Sequence, residues 1–321
     1  MKKTAILLIF ATCLILIGCI IFGCVMTVFK WDFKTLSTDK FETTTHKISE
    51  DFDSISIKND TADVIFLPSN TYECNVVCYQ NQKIKYSVKV EDNTLNITPV
   101  DTRKWYEHIT FFSFSSPKIT VNLPKSRYNS ITVKQDTGNI EIPKDFKFSS
   151  IDIATSTGYI NNLASATENI KLKTSTGDIK TQDISAKNID FSVSTGDITA
   201  SNIIANGDLK ITVSTGKANL TDIKCKNLIS KGSTGNILLK NVLADEKFNI
   251  KRSTGNVNFD GCDANELFIE TDTGDVKGSL LTSKVFITES DTGRISVPKT
   301  TTGGKCEINT DTGDIIISLL E

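Results

Sequence analysis

Three aspartates near the C-terminus, Asp272, Asp291 and Asp311, each stand two residues before the glycine of a Thr-Gly pair. Carboxylates stacked in register repel one another. A hard cation such as Ca2+ takes carboxylate and backbone oxygens together, so the column is a candidate calcium site. The competing reading is a solvated row in which each Asp caps its own turn and no ion binds. The calcium-binding nonapeptide Gly-Gly-x-Gly-x-Asp is absent, which favours that second reading. One residue after the same glycines stand Asp275, Arg294 and Asp314, and Arg294 is expected to neutralise the two acids.

The other reactive residue types do not converge. The two histidines, His46 and His108, fall outside the regular repeat. Each Ser-Thr-Gly lacks the following helix that a nucleophile elbow requires, and the glycines lack the Lys-Ser/Thr of a phosphate loop. Three of the eight cysteines, Cys13, Cys19 and Cys24, lie in an N-terminal apolar run. Cys225, Cys262 and Cys306 occupy small or apolar columns, where a free thiol acts as a small hydrophobe. Cys74 and Cys78 lie four apart on an expected strand, about 13 Å between Cα atoms, too far to bridge. A polysaccharide-cleaving groove needs paired carboxylates, here beside Arg or Lys, and only the Asp275, Arg294, Asp314 cluster offers one. The chain is therefore read as a non-enzyme, with an exported polysaccharide-active enzyme as the remotest alternative. A net charge of −2 provides no basic face for nucleic acid. An aromatic stretch holds Trp105, Tyr106, Phe111 and Phe112. It either plugs the neighbouring fold or projects as a loop for a partner, glycan or lipid headgroup.

What positions these residues is a repeat. Thr-Gly recurs with its glycine at 138, 158, 177, 196, 216, 235, 255, 274, 293 and 313, a period of 19 or 20 residues. Seven before the glycine stand Ile131, Ile151, Ile170, Ile189, Leu209, Leu228, Phe248, Leu267, Phe286 and Cys306; five before, the column is apolar except for Ser230 and Thr288. Such alternation is the period of a half-buried strand. Another apolar column begins two residues after the glycine, from Ile140 to Ile315. The unit is too short for a βαβ crossover. The expected fold is all-β: a single-stranded parallel β-solenoid of 19–20 residues per coil, each coil pairing with the next, about 50 Å long at about 4.8 Å per coil.

Ahead of the repeat, residues 1–30 read as a transmembrane anchor or signal segment. The uncharged run from Ala5 to Phe29 suffices to cross a core of about 30 Å, and Lys2, Lys3, Lys30 and Trp31 flank it. Leu16-Ile17-Gly18-Cys19 resembles a lipobox, so a lipoprotein acylated at Cys19 is the alternative to an uncleaved helix. Either way the bulk is expected to be extracytoplasmic and tethered to the cell membrane. Residues 31–50 are expected to be a polar linker. Residues 51–130 read as a β-rich N-terminal cap that includes a degenerate first coil, with Ala62 at the glycine position, and residues 131–321 as the solenoid.

From Phe52 onward the chain resembles the LiaG-like family, bacterial β-strand-repeat proteins proposed as adhesins. The marks are Phe52-Asp53-Ser54-Ile55, Ala62-Asp63-Val64, Leu95-Asn96-Ile97, Ile119-Thr120-Val121-Asn122-Leu123-Pro124 and the reiterated Thr-Gly-Asp-Ile. The resemblance implies a link to envelope-stress systems and brings no catalytic, cofactor or binding residue. The expected function is a membrane-anchored structural or adhesive surface of the bacterial envelope. It would bind cell-wall or surface polymer or a membrane protein partner. The alternative is an accessory modulator of envelope-stress signalling.

Overall fold

In the computed structural model, which describes residues 2–31, 40–103 and 116–320, each Thr-Gly closes one corner of a parallel β-solenoid. The corner glycine donates its N–H to the threonine carbonyl of the next coil, as Gly196 N to Thr215 O at 3.0 Å. Two residues on, Ile198 N donates to Lys217 O at 2.9 Å. Like residues therefore pair with like: Ile189 with Leu209, Phe191 with Ile211, Ile198 with Ala218. The interior columns are buried between the coils above and below, and each aliphatic side chain so buried contributes about 1.5–3 kcal/mol.

Three corners bend each regular coil. At the first, Gly196 has φ 135°, and a Cβ there would lie 2.2 Å from the Gly177 carbonyl oxygen of the adjacent coil. Glycine is thus demanded by both dihedral and close approach. At the second corner, six residues on, Asp183, Asn202, Asp222 and Asn241 sit at φ 57°, 51°, 55° and 52°. This is the left-handed region, which Asp and Asn enter most readily among residues with a Cβ. At the third corner the pairing register slips, between Ala205 and Asp208 and again between Cys225 and Asn227.

The N-terminal part comprises α1 (Lys2–Val28), β1 (Phe41–Ile48), β2 (Ser54–Thr61), β3 (Asp63–Ser69), β4 (Cys74–Asn81), β5 (Ile84–Glu91), β6 (Thr94–Asp101) and β7 (Lys118–Pro124). β2 and β3 make the first coil and pair with the Gly138 coil. Ala62, at its corner, does not take a positive φ, so the strain expected of an alanine in a glycine turn does not arise. On their other side β2 pairs in parallel with β6, and β3 with β7. These two strands form a further layer. β5 and β6 form a hairpin turning at Asp92-Asn93, with φ 48° and 60°, the tight turn that suits strand twist. β4 then runs antiparallel to β7, and β1 antiparallel to β4. β1 falls in the segment expected to be linker. Its threonines give little local signal, and pairing with β4 draws it into the sheet, with Phe41 stacked on Tyr79 at 5.1 Å. Lys85 of β5 reaches Glu42 of β1 at 3.0 Å, joining the two edge strands of this end.

At the C-terminal end the coils leave sequence order. Gly274 N donates to Thr312 O, and Gly313 N to Thr292 O. The last repeat is therefore inserted between the two that precede it, with strand Gly304–Thr312 paired to Leu267–Thr273 on one side and Lys284–Thr292 on the other. The expectation that each coil pairs with its successor fails here for a physical reason. The inserted coil turns Cys306, Ile308, Ile315 and Ile317 inward, all at 5 % exposure or less. The displaced one offers Thr288 in register with Ile308, and a polar group costs less at the solvated end of a stack. Lys284 and Asp263, 2.6 Å apart, pin the crossing chain, with the lysine side chain only 4 % exposed.

Candidate functional site

The corner explains the polar columns beside the glycine. The residue after it presents a backbone N–H along the stack, and the Asp or Asn of the neighbouring coil accepts it. Asp197 N donates to Asp178 Oδ1 at 2.9 Å, and Lys217 N to Asp197 Oδ1 at 2.7 Å. The ladder resumes as Asn256 to Asn236, Asp275 to Asn256, Asp314 to Asp275 and Arg294 to Asp314, each at 2.9 Å. It breaks after Lys217 because lysine has no acceptor to pass on. Three residues before the glycine, buried hydroxyls bond the corner carbonyls: Thr174 to Gly158 O at 3.0 Å, Thr310 to Gly274 O at 3.1 Å.

The three candidate metal ligands are exposed at their corners, and the coil order places them as Asp272, Asp311, Asp291. Among the described residues no group of three or more His, Cys, Asp or Glu is arranged to hold a metal ion. The expected role of Arg294 is corrected by the same order. Arg294 stands beyond Asp314 rather than between the two acids, and Asp275 pairs instead with Lys277 at 2.6 Å. That lysine, together with the Asp314 N–H, holds the Asp275 carboxyl below its ordinary pKa. Trp105, Tyr106, Phe111 and Phe112 lie outside the described residues.

Nothing resembling an activated nucleophile emerges from the cysteines. Cys74, Cys78, Cys225, Cys262 and Cys306 are buried and free. Burial pushes the thiols of Cys74, Cys78, Cys225 and Cys306 up to about 12 and that of Cys262 to about 11. At neutral pH they stay protonated and unreactive.

One interior cation escapes pattern reading. Arg252, 3 % exposed, turns into the core, and its Nη2 donates to Ser230 Oγ at 3.0 Å. A Cβ on Gly232 would lie 1.5 Å from Arg252 Nη1. Ser230, an exception in an apolar column, and Gly232, which has no corner to turn, thus both accommodate one side chain of the next coil. Burial lowers the guanidinium pKa to about 10, which leaves it cationic at neutral pH. The departure of two nearby columns from their residue type was the available signal.

In the cap, a cleft of about 440 Å3 has Phe52, Cys74 and Tyr128 in its lining and Glu50, Asp51 and Glu73 among its charged residues. Phe52 stacks on Tyr128 at 6.1 Å. The helix α1 stands apart in character. The span Ala5–Val28 has mean hydropathy 3.1 and none of its most apolar window is buried. The hydroxyls of Thr12 and Thr27 bond back to Leu8 O and Gly23 O within the helix, so neither requires water. The helix is compatible with a single-pass membrane anchor or a signal peptide.

Comparison with known proteins fits this architecture. A crystal structure of a "putative lipid binding protein" from Parabacteroides distasonis superposes with TM-score 0.50 at 17% identity, over 88% of this chain and 98% of that one. A "putative adhesin" from Bacteroides fragilis superposes with TM-score 0.45 at 16% identity, over 87% of this chain and 97% of that one. At such identity the first likeness speaks for the fold alone. No curated protein matches the chain at a significant level. The family model described as Toastrack DUF4097 matches residues 52–222 and 204–321. Since those matches span the cap and every coil of the solenoid, the chain belongs to the Toastrack DUF4097 family.

Proposed function

We propose that this protein is a membrane-tethered, extracytoplasmic β-solenoid that presents an adhesive or structural surface at a bacterial cell envelope, in keeping with its LiaG-like resemblance. The observation that carries this reading is the contrast between α1 and the rest. A 24-residue apolar span, none of whose most apolar window is buried, precedes a solenoid many of whose ionisable groups serve ladders, surface pairs and interior packing. Such a chain holds a rigid surface at a membrane. It does not assemble reacting groups. The ligand class that fits is a wall or surface polymer lying along the stacked polar columns, with calcium at Asp272, Asp311 and Asp291 as a bridge.

The test is co-sedimentation of the full-length chain in detergent with isolated cell-wall sacculi, with and without calcium. Saturable pelleting supports the surface reading, and a calcium requirement assigns the aspartate corner to it. Absence of pelleting in both conditions overturns wall binding and favours an accessory modulator acting on a membrane partner.

A further inference from the structure

The two ends of the solenoid are finished differently. At the cap end, β1 and β5 carry Lys47, Lys85 and Lys89, and the Lys85–Glu42 pair ties them together. Charged residues on an edge strand discourage further pairing. At the far end, strand Lys284–Thr292 pairs on one side only, with Gly304–Thr312. Its other edge leaves backbone donors and acceptors open. The interior is uncovered there as well. Ile295 is 42% exposed, whereas Ile315, its equivalent one coil inward, is fully buried. Phe286 and Val297 are only partly buried. On the outer face Val285 and Ile287 are 38% and 51% exposed.

We propose that this edge docks against the same edge of a second copy, giving a twofold tip-to-tip dimer. The inference rests on the adhesive reading above and names the partner. A free strand edge is recognised by another strand, and this one is self-complementary. In an antiparallel register centred on Phe286, that ring meets Phe286 of the second copy on the inner face. Val285 meets Ile287 of the second copy on the outer face, twice by symmetry. Inward residues stay inward, as side-chain alternation requires. The paired stretch is then 284–288, and the carboxylates Glu289 and Asp291 fall outside it, away from each other. Because the charged cap end does not offer a matching edge, copies do not add head to tail, and the contact closes at two. The chain enters the solenoid through the cap, so the docking edge lies at the end away from the tether. Two anchored chains meeting there join two membranes.

The experiment uses the full-length chain reconstituted into phosphatidylethanolamine–phosphatidylglycerol vesicles, in two dye-labelled populations whose clustering is followed by energy transfer. Wild-type vesicles are expected to cluster. Val285→Lys with Ile287→Lys places lysines opposite each other, and the corresponding Glu pair does the same with carboxylates. Each is expected to weaken clustering about tenfold or more, a loss of about 1.4 kcal/mol. Mixing Lys-variant with Glu-variant vesicles restores clustering, which damage to the fold would not do. Wild-type vesicles that stay single, variants that cluster as well as wild type, or a mixture that fails to recover would each overturn the dimer. Sacculus binding without vesicle clustering sinks this inference and leaves the surface reading intact. Clustering without sacculus binding does the reverse.

Discussion

Replacing Gly196 by alanine tests the corner that the whole stack depends on. The φ of 135° lies where a residue with a Cβ is strained, at about 1–3 kcal/mol. The added methyl would stand 2.2 Å from Gly177 O, so the two coils must part locally. Parting them endangers Gly177 N to Thr195 O at 2.9 Å and Ile179 N to Asp197 O at 3.0 Å, each worth about 1 kcal/mol. The expected loss is therefore about 3 kcal/mol or more. In a stack whose coils touch only neighbours, such a weak interface also splits the unfolding transition. Urea unfolding followed by circular dichroism should show an earlier, broader or two-step transition for Gly196→Ala. Ala62→Gly is the counter-experiment. Ala62 has no positive φ, so glycine relieves nothing there and loosens the unfolded chain, costing about 0.4–1 kcal/mol. An unchanged midpoint for Gly196→Ala, or a stabilised Ala62→Gly, would refute the account of the corner.

Two further perturbations separate structural roles from surface accidents. Gly232→Ala should destabilise the protein through its clashes with Arg252 Nη1 and the Val213 carbonyl oxygen, and Arg252→Val should relieve the first of them only. A double-mutant cycle in urea should give a coupling above about 1 kcal/mol, and additive effects would disprove the shared space. The second concerns Asp275, whose carboxyl Lys277 and the Asp314 N–H hold below its ordinary value. A pKa depressed in the native state contributes stability above the unfolded value, about 3.9, and that contribution is lost as pH falls through the native value. Lys277→Gln should move the Asp275 titration back toward the ordinary value by carboxyl NMR and start acid unfolding at higher pH; a titration that does not move rejects the pairing.

Much of this architecture was legible because the repeat writes the interior out column by column. The residues at minus seven, minus five and plus two from each glycine alternate as strands do, and outside the terminal Gly293 coil they are the ones the structure buries. The second corner was legible too, in principle. Asp183, Asn202, Asp222 and Asn241 recur six residues after the glycine, and their residue type is what a left-handed turn without glycine selects. The strand Phe41–Ile48 was not legible, because its reason to be extended lies in β4, more than twenty residues away. Nor was the use of the acids beside the glycines. Asp178, Asp197, Asp275 and Asp314 look like candidate ligands in a list of charges, yet their oxygens accept the next coil's N–H groups.

The swapped order of the last two coils shows where a repeat stops determining its own fold. Both segments carry Thr-Gly followed by isoleucine two residues on, so both satisfy the corner and either can pair with Leu267–Thr273. What distinguishes them is the quality of the inward face. Ile308 suits a position covered on both sides, whereas Thr288, in register with it, suits one covered on a single side. Because burial rewards an aliphatic residue by about 1.5–3 kcal/mol and penalises an unpaired hydroxyl, exchanging the two coils would cost stability at both positions at once. The terminal coil is thus the one least able to close a core. For the same reason its edge remains available to a second copy of the chain.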